Sequence, residues 1–295
     1  MGTFSMMRLG RLGRVALGSL LMTTAISTYH LPALNAQSVE GRWLQVQRIS
    51  GSVTTQINGS RQAQIGDRLS APGHGTTTAH QSSTNLAIDT AIGSIAVAQN
   101  TRLTVQRLST LSDGAKVTIL DVTRGQARLQ VRTFTHPNSR LELHTPSGVA
   151  AVRGTEFGVF VSKDGTTTIA TLEGQVEALA QSRSVLVDAG STVMIHPGEP
   201  PSSPRPLDRE LAIDWQTQER RLNRLYVSGR IDPANHLLLN GEEIPISRSG
   251  YFEIVKPQAN RHRSVVFTVQ NPLGESRVYR MRLWQLPLER EGNSH

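Results

Sequence analysis

The sequence predicts an all-β protein with many short, regularly spaced strands. From Trp43 to Ile195, apolar and polar residues alternate over short runs, as in strands with one buried face. Turn-forming pairs separate the runs, at Asn58-Gly59, Pro72-Gly73, Asp113-Gly114, Asp164-Gly165 and Ala189-Gly190. This spacing is typical of a sandwich, a barrel or a solenoid, and the periodicity does not choose among the three.

Residues 1–36 are predicted to be a secretory signal peptide. Three arginines, Arg8, Arg11 and Arg14, precede a mostly apolar run from Val15 to Ile26. This run is too short to span a membrane, and the small residue Ala36 marks the expected cleavage point. We therefore expect a periplasmic or secreted protein with no transmembrane anchor after cleavage.

The composition excludes several kinds of site. The chain has no cysteine, so it has no disulfide, no thiol nucleophile and no thiolate metal ligand. The formal net charge is +8, but the arginines are dispersed among acidic residues. This distribution predicts a diffuse positive surface that tolerates anionic envelope polymers, and it argues against nucleic-acid binding.

Residues 37–196 are assigned to one β domain, and its clearest element is a hairpin. Phe157, Val159 and Val161 fall on one face of a strand. Lys163-Asp164-Gly165 forms the turn, and Thr166 to Leu172 returns as a β-branched strand.

A compact motif precedes this hairpin. It runs from Thr145 to Phe157 and reads Thr-Pro-Ser-Gly-Val-Ala-Ala-Val-Arg-Gly-Thr-Glu-Phe. Glycines suit sharp bends and close backbone approach, and Arg153 and Glu156 are near enough in sequence to form a charge-assisted pair. We interpret the set as a structural corner that begins the hairpin rather than as a ligand site. The candidate residues are Gly148, Arg153, Gly154, Thr155, Glu156 and Phe157.

This motif resembles the signature of the FecR domain. The segments Gln64–Leu69 and Thr171–Val176 extend the resemblance, which covers approximately Gln64 to Ile195. It implies a solenoid-like β domain that meets another macromolecule outside the cytoplasm. Sensor members of the family carry a cytoplasmic anti-sigma segment and a membrane helix before this domain. Because a signal peptide is predicted there instead, we expect an envelope interaction module rather than a transmembrane signalling protein.

A linker and a short helix are predicted at 197–226. Five prolines between Pro197 and Pro206 disfavour both helix and ladder pairing and predict an extended spacer. A stripe of apolar residues at helical spacing then predicts a short helix from Leu207 to Leu225, with Trp215 as a packing anchor.

Residues 227–285 are predicted to form an immunoglobulin-like β-sandwich, followed by a tail at 286–295. The segment resembles small immunoglobulin-like modules of exported bacterial proteins. The resemblance rests on an Asn240-Gly241 turn, a Gly250-Tyr251 strand start and an Asn271-Pro272-Leu273-Gly274 turn. The Cys-Trp-Cys core of antibody domains is missing.

No catalytic constellation, cofactor motif or metal-ligand spacing is present in the sequence. We therefore expect a non-enzymatic cell-envelope protein without catalytic, cofactor or metal residues, which binds a protein partner as a scaffold or sensory module. The alternative is a cell-wall module that binds peptidoglycan or an anionic polysaccharide. High salt distinguishes the two, since it weakens attraction to a charged polymer.

Overall fold

The computed structural model describes residues 41–221, 224–257 and 264–283, which belong to one compact unit, Gly41–His295. These residues form strands and no α-helix, which confirms the all-β prediction. None of the described residues forms a helix long and apolar enough to cross a membrane. The predicted signal peptide and the tail at 286–295 lie outside the described residues.

The first seventeen strands form a large β unit. They are β1 (Leu44–Ser50), β2 (Val53–Gln56), β3 (Ser60–Gln62), β4 (Arg68–Leu69), β5 (Gly75–Thr78), β6 (Ser83–Ile88), β7 (Gly93–Val97), β8 (Arg102–Thr110), β9 (Lys116–Val131), β10 (Arg140–His144), β11 (Val149–Val152), β12 (Glu156–Val161), β13 (Thr167–Glu173), β14 (Gln175–Ala180), β15 (Arg183–Asp188), β16 (Ser191–Ile195) and β17 (Arg205–Pro206).

The long strand β9 joins two sheets. Its first half pairs with β8 and β10, in sheet B, whose strand order is β3-β2-β5-β8-β9-β10-β11-β14-β15. Its second half pairs with β7 and β12, in sheet A, whose order is β4-β1-β6-β7-β9-β12-β13-β16-β17. The strand changes sheet at Gly125, where φ is +87° and glycine is favoured.

One apolar core lies between sheets A and B. The apolar residues that alternate along the predicted strands fill it. Its fully buried members include Leu44, Leu86, Ile95, Leu103, Leu120, Leu129, Leu141, Phe157, Ile169 and Val193. Every described strand pair of the large β unit is antiparallel except β9–β10. The solenoid-like description stays a prediction.

The remaining seven strands form a small β unit of two antiparallel sheets, β18-β19-β22 and β21-β20-β23-β24. They are β18 (Asp214–Arg221), β19 (Arg224–Arg230), β20 (His236–Leu239), β21 (Glu242–Ile244), β22 (Tyr251–Pro257), β23 (Ser264–Gln270) and β24 (Ser276–Arg282). Trp215 packs edge-on against Phe252, Phe267 and Tyr279, with ring centroids 5.2–6.1 Å apart. It is the packing anchor that the sequence predicted.

The predicted helix from Leu207 to Leu225 is wrong, because β18 and the start of β19 occupy this region. Leu211, Ile213 and Trp215 alternate along the chain and contact the core of the small β unit. Leu211 and Trp215 fit both a helical stripe and a period of two, whereas Ile213 fits only the strand pattern. The small β unit therefore takes in residues that the sequence assigned to the linker.

The Pro-rich segment lies against β16 at the edge of sheet A rather than standing free as a spacer. The amide of Ser202 donates to the carbonyl of Met194, and the amide of Met194 donates to the Ser202 hydroxyl, at 3.0 Å. Within the segment, Arg205 forms an ion pair with Asp232 of the small β unit. The segment covers a strand edge with residues that resist further pairing.

Candidate functional site

Four residues, Asn271–Gly274, lie in the connection between β23 and β24 and press on the outer face of sheet A. We call them the docking turn. The Gln126 side-chain amide donates to the carbonyls of Asn271 and Pro272, at 2.8 and 2.9 Å. Leu273 is 1% exposed and packs against Ala170 and Leu207. Buried hydrogen bonds and an apolar contact thus join the two β units.

Gly158 makes this close approach possible. It lies in the middle of β12, and a Cβ placed on it would overlap the carbonyl oxygen of Pro272. Any side chain here would push the docking turn away from sheet A. Phe157, Val159 and Val161 point into the core, as predicted, and the outward-facing Phe160 is also buried.

A second turn of the small β unit makes a further contact with the large one. Asn240 and Gly241 join β20 to β21, and the Gly241 carbonyl accepts a hydrogen bond from the Gln99 side chain at 3.4 Å. The His80 ring lies directly beside Gly241. Contact at two turns fixes the two β units against each other.

Two cavities of about 470 and 400 Å³ lie between the β units. We call them together the cleft. They share four lining residues: Phe160, Lys163, His236 and Glu243. Ile244, Pro245 and Ile246, in β21 and the loop after it, line the smaller cavity together with charged residues such as Lys163 and Arg248. Cavities of this size with mixed walls suit a small ligand or a segment of a partner protein.

His236 lies at the centre of the cleft. Its ring stacks on Phe160 at a centroid distance of 4.0 Å, and its Nε2 lies 3.1 Å from the Gln270 side-chain oxygen. Because that oxygen accepts, Nε2 carries the proton and Nδ1 is an acceptor. Burial lowers the pKa of His236 to about 4, so the ring is neutral at pH 7.

Two acceptors beside the cleft are buried without a hydrogen-bond partner: Nδ1 of His236 and the side-chain oxygen of Asn235. At the cleft wall, burial raises the pKa of the Glu243 carboxyl, although the side chain and backbone N–H of Lys163 act in the opposite direction. The wall of the cleft therefore combines buried hydrogen-bond acceptors with charged groups of both signs, Lys163 and Asp164 among them.

The motif residues occupy a corner of the large β unit, outside the cleft. A Cβ on Gly148 would lie 2.5 Å from the carbonyl oxygen of Leu179. Gly154 has a φ of +144° and lies against the Thr133 backbone, and Thr155 is buried. Phe157 is wholly buried in the core. These contacts agree with a structural corner, while a role in ligand contact stays untested.

The predicted pair between Arg153 and Glu156 is wrong. Arg153 is exposed and donates to the carbonyl of Pro137. Glu156 instead accepts from Arg128, at 2.5 Å from Nη2 and 2.9 Å from Nε. Gly154 turns the chain between Arg153 and Glu156, and β12 then pairs with β9, which carries Arg128. Arg128 Nη1 also lies 3.3 Å from the Leu273 carbonyl, so Glu156 holds a residue that contacts the docking turn.

Sequence reasoning missed the residues that join the β units, chiefly Gln126, Arg128, Gly158 and His236. One signal was available, since a glycine inside a β-branched strand indicates close approach of another backbone. His236 gave no signal, because its burial depends on Phe160, far away in sequence. The Asn240-Gly241 and Asn271–Gly274 turns were found, but as hairpin connections rather than as contacts.

The described residues contain no cluster of three or more histidine or acidic side chains that could hold a metal ion. Two histidines of the large β unit lie apart from each other: His144 contacts Glu142 at 2.9 Å, whereas His74 accepts from the amide of Ser70. The cleft offers hydrogen-bonding and apolar groups, and in its smaller cavity the Thr166 hydroxyl lies 3.1 Å from His196 Nδ1.

Comparison with known proteins gives a family match for part of the chain. Residues 76–177 match the family model described as FecR protein, which confirms the resemblance over those residues. No curated protein matches.

Two solved structures are similar to this chain, both of a proposed anti-sigma factor from Parabacteroides distasonis ATCC 8503, at 2.50 and 1.65 Å resolution. They are 11% and 12% identical to it, with a TM-score of 0.38 in each case. Each alignment covers 48% of this chain and 67% of the other.

Proposed function

We propose that this chain is a non-enzymatic, exported cell-envelope protein that binds a protein partner as a scaffold or sensory module. The FecR match supports a regulatory or sensory role for residues 76–177. The observation that carries the proposal is the cleft, which is held open between two β units fixed at two turns. A preformed cleft avoids part of the ordering cost of binding.

The partner supplies a short segment with hydrogen-bond donors and an apolar side chain. The donors pair with the Glu243 carboxyl, which lines both cavities, and the apolar group packs beside Phe160. The immunoglobulin-like character of the small β unit belongs to this proposal, supported by its three-stranded and four-stranded antiparallel sheets. So do the signal peptide and the periplasmic or secreted location.

Site-specific photocrosslinking tests the proposal. A photoreactive residue replaces Lys163, which lines both cavities, and in a matched protein it replaces Ile65, which is 70% exposed and lines neither. Both full-length chains are expressed in the source cells and irradiated. We expect one discrete protein adduct from position 163, which also forms when the irradiation is done in high salt, and none from position 65.

Two results contradict the proposal. Identical adducts from both positions mean that the cleft is not the contact. Wall glycan crosslinked at position 163 in place of protein, but not when the irradiation is done in high salt, means that the cleft binds an anionic polymer through charge.

A further inference from the structure

The last strand of sheet B, β15, has an open edge. It pairs with β14 on one side, and its register joins Ala180 to Arg183 across a two-residue turn. Gln181 and Ser182 of that turn have φ values of +49° and +58°, as in a type I′ hairpin. The residues next to such a turn form a hydrogen-bonded pair, and these pairs alternate along the ladder.

This alternation fixes which backbone groups are free. Arg183, Val185 and Val187 bond to β14, so the N–H and C=O groups of Ser184, Leu186 and Asp188 point away from the sheet. Leu186 is 53% exposed, and no backbone partner from another described element reaches this edge. The edge thus offers unpaired backbone groups beside an exposed apolar side chain.

The other edges of the described sheets are protected. The Pro-rich segment covers the edge of sheet A beside β16. The edge strands β3, β4 and β21 have three residues or fewer. The long edges of the small β unit carry charges inside the strand, among them Arg277 and Arg280 of β24. Charge within a strand and shortness are both devices that prevent pairing with another chain. In β15, charge is confined to the end residues.

We propose that β15 pairs antiparallel with β15 of a second copy of this chain and joins the two B sheets into one. The register follows from the free groups. Pairing Leu186 with Leu186 of the second copy places Ser184 opposite Asp188, so all three outward residues are used and no like charges face each other. Any shift leaves an outward residue unpaired or sets Leu186 opposite a polar side chain.

This self-association is separate from partner binding at the cleft, and the two are tested independently. Sedimentation velocity of the purified full-length chain over a concentration series is expected to show a monomer–dimer equilibrium. Leu186→Pro removes only an outward N–H and should weaken dimerisation by about tenfold or more. Leu186→Lys, which keeps that N–H, should act in the same direction. Val278→Lys is the matched control, since Val278 is 59% exposed on β24.

A crosslinking experiment gives the register. The chain lacks cysteine, so Leu186→Cys introduces a single thiol. Cα atoms of a hydrogen-bonded pair are about 5.5 Å apart, within disulfide range. We expect Leu186→Cys to oxidise to a dimer and Val278→Cys to remain mostly monomeric. A wild-type chain that is monomeric throughout, a Leu186→Pro dimer as strong as wild type, or equal oxidation of both cysteine variants would overturn the proposal.

Discussion

Two charged residues of the same motif have different roles although they are three positions apart. Glu156 receives two hydrogen bonds from Arg128, which also reaches the Leu273 carbonyl, whereas Arg153 lies on the surface. Sequence proximity suggested that Arg153 and Glu156 would pair. Strand register decided otherwise, since β12 lies antiparallel to β9 and brings Arg128 beside Glu156.

This difference predicts unequal effects of two alanine substitutions. Arg128→Ala leaves the Glu156 carboxylate partly buried without its partner, so we expect a loss of about 1–3 kcal/mol in the free energy of unfolding. Arg153→Ala removes an exposed side chain and should change it by less than about 0.5 kcal/mol. Urea denaturation measures both. A loss at Arg153 as large as that at Arg128 would contradict the assignment.

At the scale of single elements, β12 serves two cores. Its inward residues fill the space between sheets A and B, and its outward face receives the docking turn at Gly158. A strand buried on both faces reads as a nearly continuous apolar run, as the sequence from Phe157 to Val161 does.

Adding one methyl group to β12 tests the docking. Gly158→Ala places a Cβ against the Pro272 carbonyl, and we expect the free energy of unfolding to fall by about 1–3 kcal/mol through overpacking. Gly41→Ala is the control, because a Cβ there meets no atom within 4 Å. Equal free energies of unfolding for the two variants would show that the docking turn moves away from position 158 without a loss of stability.

The sequence predicted most strands but only part of the site, for physical reasons. Alternation and turn residues are local, so the hairpin of β12 and β13 and the turn at Asn271–Gly274 were found. The helix error arose where Leu211 and Trp215 satisfy both periods. The Arg128–Glu156 bond and the Phe160–His236 stack join residues far apart in sequence, and no local pattern encodes those pairings.

At the scale of the whole molecule, His236 links stability to pH. Its pKa is lowered from 6.5 to about 4 by burial, so the folded protein keeps the ring neutral where the unfolded chain takes up a proton. The contribution of His236 to stability is therefore constant above pH 6.5 and falls as the pH drops from there to about 4, by up to about 3 kcal/mol.

The comparison variant is His236→Gln, which cannot gain that proton. We expect the stability advantage of the wild type over this variant to shrink between pH 6.5 and 4.5 in urea denaturation, and to be constant between pH 7 and 8. A constant difference over the whole range would mean that the folded protein admits the proton at its ordinary pKa.

The docking turn also bears on the order in which the chain folds. The hydrogen-bond partner of the Gln126 side chain lies 145 residues further along the chain. The outer face of sheet A therefore stays partly uncovered until the docking turn is in place. The large β unit can assemble first, as N-terminal domains do during synthesis. Its outward Phe160 then remains exposed to water until His236 of β20 stacks on it, and a chain truncated before β20 keeps that surface open.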